Sequence, residues 1–167
     1  MASAAAFSGG YIANLGPSVE GFLLPAMDEE SMPFWQATKE GKLTVQACSS
    51  CGALRHPPRP MCPKCRSTKR EWKQVSGKAT VWSYAVPHPP LLKPYSDLAP
   101  YNVIVVALDE EPNIRFVGNL LSGPEGAINE IDPDTIRIGE PVEVVFKRFD
   151  RADGSNEAVP MWVRASS

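Results

Sequence analysis

Four cysteines constrain this chain more than any other feature. They stand as Cys48-Ser49-Ser50-Cys51 and Cys62-Pro63-Lys64-Cys65, two Cys-x-x-Cys knuckles separated by ten residues. They are the only cysteines in 167 residues. Two thiolates that close can turn around one ion, and two such pairs complete the tetrahedron of a structural zinc site. A turn-forming residue follows each knuckle: Gly52 after the first, Arg66 and Ser67 after the second. Disulfides are the competing reading. Pairing within a knuckle would be strained, and crossed pairing suits a small secreted scaffold. Iron in a rubredoxin-like site uses the same four sulfurs, so the spacing argues for a metal more firmly than for zinc. Sulfur at every position leaves none open for water, so this metal is expected to fold the chain and not to catalyse.

The sequence around the knuckles divides into three parts. Residues 1–27 are rich in Ala, Ser and Gly without a clear period, and are expected to be a mobile or partner-binding arm. The apolar island Gly21-Phe22-Leu23-Leu24-Pro25 is its one candidate anchor. Residues 28–76 read as a helix plus a zinc ribbon. Ser31 is the expected N-cap, Pro33 lies in the first turn and Gly41 is the stop. Phe34, Trp35 and Thr38 share one side. Leu43–Ala47 alternates as a strand into the first knuckle, and Glu71–Val75 returns after the second. Such a unit is too small to hold a core without its metal.

Residues 77–167 carry five strand-like runs, at Lys78–Val86, Tyr101–Leu108, Ile114–Leu121, Val142–Phe149 and Ala158–Val163. The break after the third run has room for one helical turn within Ile128–Thr135. Count and rhythm predict a five-stranded OB-fold barrel, with an SH3-like barrel as the alternative. The fold class is therefore mainly β: a short N-terminal helix, a rubredoxin-like zinc ribbon and a C-terminal OB barrel. Seventeen prolines argue the same way, against long helices.

Composition narrows the function classes. Hydrophobic content of 43% supports a real core, and a net charge of −2 does not suit a general polyanion binder. No apolar run reaches the roughly 20 residues of a membrane span. The start lacks the basic and apolar regions of a signal peptide, and thiols kept for metal favour a reducing compartment, so the expected location is the cytoplasm. No phosphate loop, nucleophile elbow or paired-carboxylate motif is present. His56 and His88 lack a nucleophile motif beside them, and a metal-supporting or surface role is expected for each. The cysteines are taken by metal. No catalytic residue is therefore assigned.

Charge is uneven. Arg55 to Lys78 holds eight basic residues and one acid, a segment of +7 that leaves −9 for the remainder. The cations either balance a tetrathiolate centre, formally −2, or mark an anion site. A ribbon plus an OB barrel also invites a single-stranded nucleic-acid reading, with Trp82, Tyr84 and Phe116 as stacking candidates. The acidic barrel half makes backbone binding to a polyanion unfavourable, and the Trp82–Tyr84 spacing equally suits a core face.

Several motifs together resemble a known family. They are Phe34-Trp35 with Gly41-Lys42-Leu43, the Cys48–Gly52 knuckle, and Pro57-Pro58-Arg59 before Cys62-Pro63-x-Cys65. Gly77-x-x-x-Val81-Trp82-Ser83-Tyr84, Pro100-Tyr101-Asn102-Val103, Val117-Gly118-Asn119 and Ile138-Gly139-Glu140-Pro141-Val142-Glu143-Val144 continue the series. The pattern, from about Phe34 to Trp162, resembles the acyl-CoA-associated zinc-ribbon/OB-fold proteins, formerly a domain of unknown function. That resemblance implies a non-catalytic subunit of thiolase-like enzymes, among them lipid-transfer-protein-type steroid aldolases, in a heterotetramer or larger assembly. It implies zinc at Cys48, Cys51, Cys62 and Cys65, and acyl-CoA as a ligand shared with the partner. A retro-aldol carbon–carbon lyase is the expected partner, with a condensing acetyltransferase as the alternative. Arg59, Lys93 and Tyr95 are the residues expected to line the CoA channel, on the ribbon loop and the Pro87–Pro100 loop.

Overall fold

The computed structural model describes residues 18–166. Helix α1, Met32–Lys39, opens the ribbon unit. Ser31 occupies the N-cap position but makes no capping bond. Its hydroxyl turns back to Asp28 Oδ1 at 2.6 Å, and its N–H donates to the same oxygen at 2.7 Å. These bonds hold the Asp28 carboxyl below its ordinary pKa. The other end stops as expected. Gly41 takes a left-handed φ of +73°, its N–H reaches Thr38 C=O, and Lys42 N–H reaches Ala37 C=O. Phe34 and Thr38 are buried.

The ribbon sheet has β1, Thr44–Cys48, between β2, Leu54–Arg55, and β3, Arg70–Gln74. All five residues of β1 are buried, where alternation predicted one buried face. Val45 enters the core, while Gln46 is buried through its bonds. Gln46 Oε1 accepts from Arg55 Nε and, at 3.1 Å, from Arg59 N–H, which fixes the loop entering the second knuckle.

The second sheet runs in the order β6-β5-β4-β7-β8. Its strands are β4 Lys78–Ala85, β5 Val103–Leu108, β6 Arg115–Gly118, β7 Pro141–Asp150 and β8 Asn156–Arg164. Every pairing in it is antiparallel. A parallel bridge, Leu120↔Trp162, then joins the chain beyond β6 to β8. Leu121 N–H donates to Trp162 C=O at 2.8 Å, and Trp162 N–H to Asn119 C=O at 3.0 Å. A three-strand meander whose last strand meets the fifth strand in parallel is an OB barrel. Buried Asn102 supports the closure, because Leu120 N–H donates to its Oδ1 and its amide donates to Leu120 C=O. The break after β6 holds a single 3-10 turn, Pro133–Thr135, and the Pro87–Pro100 loop contains a one-turn helix α2, Tyr95–Leu98.

One core runs through both units. Phe34, Leu43 and Val45 from the helix and ribbon pack with Val81, Val106, Phe116 and Trp162 from the barrel. A second cluster explains residues 18–27. Leu24 and Met27 are buried, and Leu24 packs with Tyr101, Leu121, Ile128 and Phe149. Phe22 meets Tyr95 and Phe149 edge-on, each with ring centroids 5.4 Å apart. Val19 N–H reaches Asp150 C=O at 2.8 Å. This stretch is a strap across the barrel and not a loose tail, because its apolar island finds an apolar face to cover. The arm up to residue 17 lies outside the described residues.

Gly77 joins ribbon to barrel at a φ of +79°, and its C=O accepts from Val144 N–H at 2.9 Å. A Cβ there would lie 2.3 Å from Val144 Cγ1. Gly77→Ala is expected to destabilise the fold by about 2–4 kcal/mol, from left-handed strain plus overpacking. Urea denaturation checks this, with Gly52→Ala, whose Cβ would meet open space, as the milder comparison.

Candidate metal centre and the aromatic seam

Each knuckle is a turn of the same shape. Gly52 N–H donates to Cys48 C=O and Arg66 N–H to Cys62 C=O, both at 2.8 Å. Gly52 and Arg66 both take left-handed φ values, +72° and +61°. The knuckles bring all four Sγ atoms within 4.8 Å of one another. Cys48 and Cys65 sulfurs are 3.6 Å apart, and Cys51 and Cys62 sulfurs 3.7 Å. Four sulfurs at about 2.3 Å from a central ion are separated by about 3.8 Å. A disulfide would need about 2.05 Å.

The local electrostatics fit an ion as well. Burial works against a Cys48 thiolate, but the N–H groups of Ser50 and Cys51 aimed at its sulfur outweigh it and lower its pKa to about 6. The Cys65 N–H, foremost, lowers Cys62. For Cys65 the Ser67 N–H favours the thiolate, yet the sulfurs of Cys51 and Cys48 push the thiol up to about 12. A thiolate at Cys65 therefore needs a cation at the centre. The sulfurs would hold that ion, and no residue in the set leaves a coordination position for substrate.

The histidines diverge. His88 is exposed. His56 is half-buried and is held by rings instead of by the sulfurs. Its ring stacks on Phe116 of β6 with centroids 4.0 Å apart and lies 5.2 Å from Phe34 of α1. Phe34 in turn stacks on Phe116 at 6.1 Å. Burial lowers the His56 pKa to about 4, so the imidazole is neutral at pH 7. Helix, ribbon loop and barrel thus meet in one aromatic seam. Nothing in the sequence marks a long-range ring stack.

The three residues expected at a CoA channel are placed apart. Arg59 is exposed on the ribbon loop, with its backbone tied to Gln46. Lys93 is exposed and pairs with Asp97 at 2.9 Å. Tyr95 of α2 holds the strap: its hydroxyl accepts from Leu23 N–H at 3.2 Å. It lines an apolar cavity of about 220 Å³ with Phe22, Tyr101 and Met161, and Arg59 is not among the lining residues. Of the three aromatics considered for nucleobase stacking, Phe116 is buried in the seam. Trp82 is half exposed at a bulge in β4, with the Arg115 guanidinium 3.7 Å over its ring.

A four-cysteine ribbon continuous with an OB barrel defines the class. Residues 35–70 match the family described as "ChsH2, rubredoxin-like zinc ribbon domain", and residues 72–147 match "ChsH2, C-terminal OB-fold domain". A DUF35 domain-containing scaffold protein of Methanothermobacter thermautotrophicus is 35% identical over 118 residues, 70% of this chain and 80% of that protein. The chain belongs to the ChsH2/DUF35 family. It is also 36% identical over 126 residues to a probable enoyl-CoA hydratase alpha subunit of Thermomonospora curvata. That match covers 75% of this chain but only 36% of the longer relative. Among solved structures it is similar to a chain of an Ltp2-ChsH2(DUF35) aldolase, with a TM-score of 0.71 and 32% identity. The match covers 86% of this chain and 100% of that one.

Two outcomes follow from the site. Cys51→Ser is expected to lose the metal and the ribbon's amide protection, read by metal analysis and hydrogen exchange; a metal-free variant with an intact ribbon contradicts this. Separately, the unfolded chain binds a proton at His56 below about pH 6.5, and the folded chain only near pH 4. Between those values stability falls as pH falls, by up to about 1.4 kcal/mol per pH unit. His56→Phe keeps a stacked ring and should remove that part of the slope in urea titrations, while thiolate protonation affects both proteins alike.

Proposed function

We propose that this chain is a non-catalytic subunit that binds and stabilises a thiolase-like enzyme acting on acyl-CoA thioesters. A retro-aldol carbon–carbon lyase of steroid or acyl side-chain breakdown is the partner it fits best. The observation that carries this reading is the similarity to a whole chain of the Ltp2-ChsH2(DUF35) aldolase. The site chemistry supports it. The four cysteines are arranged for a structural ion, zinc in the family's ribbon and iron equally matched to the donors, and the His56 ring is taken up by its stack on Phe116. A cytoplasmic setting suits thiols kept for metal. Among the described residues no helix is long and apolar enough to cross a membrane. We read residues 28–76 as the metal-folded unit and 77–167 as the barrel unit, preceded by the strap that packs on the barrel.

A hydratase partner is the second reading, favoured by the relative named as a hydratase alpha subunit. In either case the exposed cations Arg59 and Lys93 are our candidates for the CoA phosphates. Co-expression with a thiolase-like enzyme encoded beside this chain should give one co-eluting complex. A chain that stays alone beside that enzyme contradicts the proposal. In the complex, Arg59→Glu or Lys93→Glu should raise the apparent KM for acyl-CoA about fivefold, equivalent to roughly 1 kcal/mol, with kcat unchanged. No change for either removes both residues from the channel.

A further inference from the structure

The barrel is closed at one level between β6 and β8 and open at the next. Leu108 N–H donates to Ile114 C=O at 3.1 Å, which sets the phase of the β5–β6 ladder. In an antiparallel pair, residues alternate between turning both backbone groups to the neighbour and turning both away. Phe116 and Gly118 therefore face β5, while Arg115, Val117 and Asn119 face outward. Asn119 C=O finds Trp162 N–H of β8. One step further along a parallel ladder, Val117 C=O would need the N–H of residue 160. That residue is Pro160, which has none. The seam opens there into a groove of about 540 Å³ walled by Trp35, Pro57, Pro58, Val159 and Pro160, with the Asp28 carboxylate in its lining bonded to Ser31 and not to Arg115. Arg115 and Val117 are both exposed at its rim, Val117 at 67%. Among the described residues Arg115 has no carboxylate partner, and its guanidinium lies on Trp82.

We propose that this open edge of β6 receives an extended segment of the partner enzyme as an added strand, with an acidic side chain opposite Arg115 and an apolar one against the Trp35–Pro58 wall. Outward N–H and C=O groups on alternate residues are what an added strand pairs with. The cation without a carboxylate supplies the charge preference. A second copy of this chain is the weaker occupant, because β6 carries no acidic residue to answer Arg115. This inference rests on the accessory-subunit reading and names the surface that reading requires.

Hydrogen exchange at single-amide resolution tests it, on the free chain and on its complex with the thiolase-like enzyme. In the free chain the Arg115 and Val117 amides should exchange fast and those of Phe116 and Gly118 slowly. In the complex the first two should slow at least tenfold. Val117→Pro removes an outward N–H and no ladder bond, and Arg115→Glu reverses the charge. Each should weaken the complex at least tenfold while leaving the free chain's thermal transition near that of the parent; the charge variant carries the test if the proline variant misfolds. A complex that leaves both amides fast overturns the strand-addition proposal alone. Absence of any complex overturns it together with the subunit reading. Protection that grows with the concentration of the free chain assigns the edge to a second copy and also overturns it.

Discussion

Four sulfurs within 4.8 Å cannot all carry charge unless a cation sits among them. The knuckle N–H groups favour thiolates at Cys48 and Cys62, whereas neighbouring sulfurs drive Cys65 up to about 12. An ion resolves this conflict, and much else depends on its doing so. The ribbon has only three short strands, too few to bury a core of its own. Once the knuckles are closed, the loop between them is held in place, and with it Arg55, His56 and Arg59.

The consequence reaches the barrel through His56. A neutral, half-buried imidazole stacked on Phe116 links the loop between the metal knuckles to β6, and Phe34 adds the helix to the same stack. Burying aromatic surface favours this joint, and ring geometry gives it direction. Lys39 of α1 also reaches the buried Glu157 carboxylate of β8 at 2.9 Å, so the helix is tied to the barrel at two places. The groove bordered by Trp35, His56, Pro57 and Arg115 lies between these units. A surface made of three elements keeps its shape only while the joint between them holds. That is the physical reason a metal with no catalytic position matters to docking.

The sequence made some of this plain and hid the rest. The knuckles were legible because metal spacing is local: two residues between cysteines fix a turn. The five barrel strands were legible because their apolar runs are bounded by Gly, Pro and Asp. Gly41 was read correctly for the same reason, since a left-handed helix stop is a one-residue property. The misses are long-range or set by competition. Ser31 prefers Asp28 to its own helix, and both residues are good partners on paper. Alternation in Leu43–Ala47 suggested a one-sided strand, but Gln46 is buried by bonds to a loop 13 residues away. His56 looked like a metal-supporting or surface residue because Phe34 and Phe116 are far from it in sequence. Phe22 and Leu24 looked like a tail because the face they cover is assembled from residues far along the chain, among them Tyr95, Tyr101 and Phe149. Trp82 and Tyr84 kept the spacing of a core face, and a bulge between Val81 and Ser83 altered the register around them.

The central claim is that the metal-closed ribbon and the barrel act as one body through the aromatic seam. Backbone amide chemical shifts, followed while the ion is withdrawn stoichiometrically by a chelator, test it most directly. Phe116, Gly118 and Trp162, all in the barrel, should shift in step with the knuckle residues, while Tyr101 and Phe149 under the strap stay in place. A ribbon that loses its structure while the Phe116 amide remains where it was would contradict the account.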